Sequence, residues 1–351
     1  MRMLTRALIL SMAFLVVSCG QPANHREPDW TLATFRQRFW HGSCSMTRPL
    51  FADGVLYLGG GYSFATGTYV QAFDLGTDSE IWRFDVGTGF GGGRLLVDAD
   101  VLYGGTHDGL FALDRRSGTP LWTFGGAGHQ RAVSDGVMYT SSGNSLVALE
   151  GATGAELWRL DTSEQLSEPP VPLGDRLYVG DAGSLLVVDR VSGALIEPSR
   201  RFAGVARLEA IGSRLWSVAR VAGRPDRVTM AWDPEDDALV VHDGQIVGFG
   251  EGVVYLADRD SLRLIDAASD AERATYDGLP TARLGGVAVH GGTMFQQNLT
   301  GRPHALDAFD LASGRLLWTF EASDMIHAPV LARERLWVAS DDCHLYAFDL
   351  E

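Results

Sequence analysis

Short apolar runs such as Val55-Leu56-Tyr57-Leu58 alternate along the chain with turn pairs such as Asp108-Gly109 and Ser117-Gly118. Those pairs supply the backbone freedom that tight hairpins need, so neighbouring runs read as antiparallel strands. One stretch gives four of them in succession, near 94–97, 101–103, 110–113 and 120–124. The runs are apolar at successive positions and alternate only weakly, which marks strands covered on both faces.

The four-strand unit then recurs. Its third and fourth strands carry Ala-hydrophobic-Asp/Glu, a turn and Trp: Ala72-Phe73-Asp74 to Trp82, Ala112-Leu113-Asp114 to Trp122, Ala148-Leu149-Glu150 to Trp158, and Ala308-Phe309-Asp310 to Trp318. A repeat of roughly 40 residues built from short strands predicts a β-propeller. Aligning the second strands gives eight copies, at Tyr57, Tyr103, Tyr139, Tyr178, Trp216, Tyr255, Phe295 and Trp337. The last copy ends one strand short, and Asp29-Trp30-Thr31-Leu32 is expected to supply it, so that no edge stays unpaired. The expected fold is therefore all-β: an eight-bladed propeller of four-stranded antiparallel blades, one domain over 29–351. Copies four to six lack the Trp, with Glu197, Val240 and Ala274 near its place. Two readings stay open there, drift in a redundant scaffold or a specialised binding sector.

Ahead of the repeats, Arg2 and Arg6 precede an apolar segment from Ala7 to Val17, too short to span a membrane permanently. Residues 1–18 read as a signal peptide. Val16-Val17-Ser18-Cys19 resembles a bacterial lipobox, which makes Cys19 the lipidated first residue after cleavage; the alternative is an ordinary signal peptide with a fortuitous cysteine. Gly20 in the next position points to the outer membrane, and 19–28 reads as a flexible tether. Cys44 and Cys343 remain, in a compartment that permits disulfides. Both fall in loops on the same rim of adjacent blades, so either they bond and pin the closure point or they are two neighbouring free thiols.

The formal charge of −15 argues against a nucleic-acid partner. All 29 basic residues are arginine. Gly87-Thr88-Gly89-Phe90-Gly91-Gly92 matches G-x-G-x-x-G, but a strand follows where a dinucleotide site needs a helix, so it reads as a loop. The common hydrolase, zinc and redox motifs are missing. Asp233, Glu235, Asp236 and Asp237 lack the spacing of a calcium loop and read as a solvated turn. Counting back from the inner turns places Arg48, Arg94 and Arg207 at equivalent points of the innermost strands, with Arg131 and His327 one step away. Such a ring could receive a carboxylate, because arginine binds it through two hydrogen bonds; the alternative is pairing with loop acids such as Glu168 or Glu209. The longest insertions, at 62–68, 221–227 and 298–303, are expected to crown the same rim.

The pattern Ala-x-Asp-x-x-Ser/Thr-Gly-x-x-x-Trp resembles the tryptophan-docking motif of propellers related to pyrroloquinoline quinone enzymes, over about 30–351. That resemblance implies a structural role for Trp30, Trp82, Trp122, Trp158 and Trp318, packed between neighbouring blades. Quinone dehydrogenases of that group are longer and carry vicinal cysteines, calcium ligands and an Asp base. This chain has no adjacent cysteines, so neither cofactor nor catalysis is expected. With its lipidation signal and length, the chain resembles the BamB family of outer-membrane lipoproteins. The resemblance implies a lipid-anchored scaffold facing the periplasm, a monomer within a hetero-complex, that binds the periplasmic domains of the central assembly barrel through rim loops or strand addition. A second reading is an envelope protein that captures a small molecule or polysaccharide in the axial funnel. A divergent quinoprotein enzyme is the third.

Overall fold

The computed structural model describes residues 25–33, 44–62, 68–87, 94–126, 131–180, 184–199, 202–221, 227–279, 284–298 and 304–350, apart from single positions 78, 107, 163, 167, 251 and 259. In blades 1 to 7 the strands pair in chain order from the axis outwards. Blade 2 shows the unit: Leu96–Asp98, Val101–Gly105, Gly109–Asp114 and Pro120–Gly125, all antiparallel. Eight such sheets form the ring, as the repeat predicts. In blade 1 the innermost strand is split into Cys44–Met46 and Leu50–Ala52, both paired with Val55–Tyr62. Pro49 has no N–H to give the ladder, and the chain leaves it over 47–49. Thr47 anchors the break, its N–H donating to the Gly59 carbonyl (2.8 Å) and its hydroxyl accepting from the Gly59 N–H (2.9 Å).

Blade 8 takes Val330–Ala332, Arg335–Ser340 and His344–Asp349 from the end of the chain and its outer strand, Trp30–Ala33, from the beginning. Trp30 faces Ala347 in the register that sets Trp82 opposite Ala72 and Trp122 opposite Ala112. The expected closure is thus present. It extends further than the sequence suggested, because residues 25–28, read as tether, lie against blade 7. His25 bridges Thr319, the Arg26 N–H donates to the Thr319 carbonyl (3.0 Å), and the Arg26 guanidinium covers the Trp318 ring at 5.3 Å. Residues 1–24, including Cys19, lie outside the described residues.

The docking motif has a concrete cause. The Trp82 indole N–H donates to the Arg115 carbonyl of the next blade (2.9 Å), Trp122 to Gly151 (2.8 Å) and Trp158 to Arg190 (3.0 Å). Each acceptor directly follows the motif Asp or Glu. The glycine of the turn, Gly118, Gly154 or Gly193, holds a positive φ of 70–73° and lies flat under the ring. A Cβ there would come within 2.6 Å of the indole, so the position excludes a side chain on both counts. A β-bulge immediately before the Trp recurs in the outer strands of blades 1, 2, 3 and 7, and in blades 4 and 6 at the same register. The extra residue faces water: Ile81, Leu121 and Leu157 are exposed apolar side chains at one repeated position.

The motif aspartates are held below their ordinary carboxylate value. For Asp114 the cause is the hydroxyl and N–H of Ser117; Ser192, Ser269 and Ser313 do the same for Asp189, Asp266 and Asp310. Groups depressed on folding stabilise the fold above their unfolded value near 4 and lose that contribution as pH falls through the folded value. The melting temperature is therefore expected to fall steeply below about pH 4. Asp→Asn at these four turns should flatten that dependence in a thermal titration; an unchanged slope would refute the assignment.

Blades 4 to 6 carry other residues at the docking position. Val187 faces Glu197, Ala231 faces Val240 and Leu264 faces Ala274, in the Trp register. Blade 5 has no bulge there. Instead Trp216, on its second strand, is fully buried and donates its N–H to the Ala267 carbonyl of blade 6 (3.2 Å), the equivalent acceptor. Its ring stacks on His242 at 5.1 Å, and His242 Nε2 pairs with Asp270 Oδ1 at 2.7 Å. Trp232 covers the other side of the blade, edge-on to Tyr178 of blade 4 at 5.8 Å. The structure supports scaffold substitution in blade 5: the two indoles fill its interfaces with both neighbours.

Candidate functional site at the propeller axis

The innermost strands bring part of the arginine set together. Arg48 projects from the 47–49 break of blade 1, and Arg94 stands just before the first strand of blade 2; both are solvent-exposed. They line one cavity of about 450 Å³ with Pro49, Leu50, Phe51, Leu95 and the Val330–Ala332 strand of blade 8. Although Arg48 keeps an open face, the blades crowded around it desolvate the guanidinium and push its pKa down; Arg94 pushes the same way, partly offset by Glu209. Glu209 belongs to blade 5, opposite blade 1 in the ring, so this field crosses the axis. Burial raises the Glu209 carboxyl, while Arg94 and Arg48 oppose the rise.

The other predicted members are committed elsewhere. Arg131 is buried on blade 3, pushed down to about 10 by desolvation, and donates to the Arg94 carbonyl (3.4 Å). Its guanidinium lies against Gly105, where a Cβ would collide with it. Arg207 sits in an irregular stretch of the 202–211 strand with φ 55° and donates to the Ile246 carbonyl. His327 Nε2 pairs with Asp341 Oδ1 at 2.8 Å. The ring is therefore a sector: Arg48 and Arg94 open to the cavity, Arg131 supporting Arg94 from behind. Counting back from the inner turns found Arg48 and Arg94; Trp216 stands in the tyrosine column as Trp337 does, so its place alone did not set it apart.

Cys343, in the turn between the second and third strands of blade 8, is disulfide-bonded and buried. That excludes the free-thiol alternative for this residue. The acidic cluster forms the outer turn of blade 5, where Asp237 accepts the Trp232 indole N–H (3.2 Å) and Asp233 accepts the Glu235 N–H (3.0 Å). Among the described residues no group of three or more His, Cys, Asp or Glu has the geometry to hold a metal ion. Gly87 ends an outer strand, and the rest of the glycine-rich loop, 88–93, lies outside the described residues, as do 63–67, 222–226 and 299–303 of the long insertions.

Comparison with known families decides the relationship. The family model described as outer membrane protein assembly factor BamB matches residues 66–194, 107–261 and 258–351. The chain belongs to the BamB family. The solved structure of BamB from Moraxella catarrhalis is similar at 14% identity and a TM-score of 0.63, covering 87% of this chain and 94% of that one. The computationally designed Ika8 protein is similar at 15% identity and a TM-score of 0.65, covering 88% and 97%. At such identities the two structures speak for the fold alone. No curated protein matches the chain in sequence.

Proposed function

We propose that this chain is a non-catalytic, lipid-anchored scaffold of outer-membrane β-barrel assembly, held through Cys19 with its propeller facing the periplasm. The observation that carries the reading is the BamB family match, which runs from the outer half of blade 1 through blades 2 to 7 and the three C-terminal strands of blade 8. The repeated exposed positions Ile81, Leu121 and Leu157 add support. They sit beside outer-strand edges, where an extended partner segment gains backbone hydrogen bonds and apolar contact together. The acidic body, with a formal charge of −15, suits protein partners and not nucleic acid.

Affinity purification of the protein from its native envelope in mild detergent, followed by mass spectrometry, tests this. The central barrel of the assembly machinery should co-purify, and Ile81→Asp combined with Leu121→Asp should reduce its recovery severalfold. Clean isolation without that barrel would count against the assembly role.

A further inference from the structure

The axial cavity holds an electrostatic arrangement that packing does not resolve. Arg48 and Arg94 are like charges on one wall, and among the described residues neither guanidinium has a hydrogen-bond or ion-pair partner. Several surface arginines of the same propeller are paired: Arg115 with Asp53 (2.6 Å), Arg190 with Asp135 (2.8 Å) and Arg159 with Glu156 (2.7 Å). Arg131 is buried behind Arg94 and adds a third positive charge that has no carboxylate partner among the described residues. Two like charges in one cavity repel, and a carboxylate placed between them relieves that repulsion, because it can accept two hydrogen bonds from each guanidinium fork.

The remainder of the wall is apolar. Phe51, Leu95 and Leu331 face the cavity, and Phe51 is fixed by packing on Trp337 at 5.1 Å. A cavity of about 450 Å³ falls in the range of small-ligand sites, in which a few convergent polar groups orient an otherwise apolar ligand. Glu209 faces this charge pair from blade 5 and screens it without bonding to it.

We propose that the cavity between blades 8, 1 and 2 is a binding site for an apolar carboxylate, with Arg48 and Arg94 clamping the carboxylate and Phe51, Leu95 and Leu331 receiving the apolar group. Two sources share this chemistry: the free C terminus of an extended polypeptide ending in an apolar residue, and a small aromatic or aliphatic acid. The site does not depend on the assembly role proposed above.

Isothermal titration of the purified protein with N-acetylphenylalanine, with its carboxamide, and with a decapeptide ending in phenylalanine as free acid or amide tests the proposal. The free acids should bind at least tenfold more tightly than the amides. Arg48→Gln and Arg94→Gln should each weaken acid binding about tenfold and leave the melting temperature within a degree or two. Glu209→Gln should tighten binding severalfold, since it removes the opposing charge, and this arm reports even where an arginine variant folds poorly. Binding of the peptide acid assigns the site to chain termini; binding of the small acid with exclusion of the peptide assigns it to small molecules. Equal affinity for acid and amide, no binding of any acid, or indifference to all three substitutions overturns it. Since the assembly reading is tested by co-purification, either can fail alone.

Discussion

Trp216→Ala is expected to lower stability by about 3–5 kcal/mol, as large a loss as truncating any of the motif tryptophans. The indole is fully buried, stacked on His242 and hydrogen-bonded to the Ala267 carbonyl of the next blade. Removing it opens a ring-sized cavity between blades 5 and 6 and strips that carbonyl of its donor, an omission worth about 1–3 kcal/mol by itself where no water reaches. It also uncovers the His242–Asp270 pair, whose side chains are now only about a tenth exposed. Trp216→Phe keeps most of the volume but also leaves the carbonyl without its donor, so it should lose about 1–3 kcal/mol, less than the alanine variant. For a domain of this size the alanine variant should melt about 5–8 °C lower. Thermal unfolding followed by near-ultraviolet circular dichroism reads both. A shift of less than a degree for Trp216→Ala would mean that blades 5 and 6 are held by something other than this indole.

The fold was largely legible because its unit is local. Hairpin turns, a repeated Asp and a repeated Trp occupy fixed positions within each copy, so the blade count and the borrowed N-terminal strand followed from aligning one column. What escaped detection involves pairs of blades. Nothing in one repeat says that the Trp216 indole will replace a docking residue missing from another strand of its own blade, because the shared target, a backbone carbonyl of the next blade, is invisible in side-chain patterns. Arg26 is similar: it reads as tether, yet its guanidinium covers the Trp318 ring, which also stacks on Phe348 at 5.3 Å.

The axial arginines were legible as a set but not in their roles. Counting from the inner turn gives height along the axis. It does not give direction, and direction depends on breaks in the ladder. Pro49 interrupts blade 1 and turns Arg48 out, whereas register shifts in the 202–211 strand carry Arg207 to a neighbouring carbonyl. Gly105 leaves the space into which Arg131 folds.

Cys343→Ser is expected to produce the second large loss. The residue is buried in the interface between blades 8 and 1, in one cluster with Met46, Ala339 and Leu345. Only Cys19 and Cys44 remain as partners in the chain, and Cys44 opens the short strand that ends at Met46. The sequence expectation of a Cys44–Cys343 bond therefore fits the neighbourhood of the described residue. Such a bond encloses roughly 300 residues, for which the chain-entropy estimate reaches about 6 kcal/mol, above the range of about 0–5 kcal/mol that disulfides typically contribute. It would also tie the first blade to the last beside the Trp30–Ala33 strand, so the ring would be fastened once by hydrogen bonds and once covalently. Cys44→Ser and Cys343→Ser should then lower the melting temperature equally, the double variant no further, and reductant should bring the native protein to the same value while leaving the variants unmoved. Different losses for the two single variants would point to another partner for Cys343. A native protein indifferent to reductant would show that the bond contributes nothing to closure, leaving the borrowed strand and the Arg26 clamp to hold the ring alone.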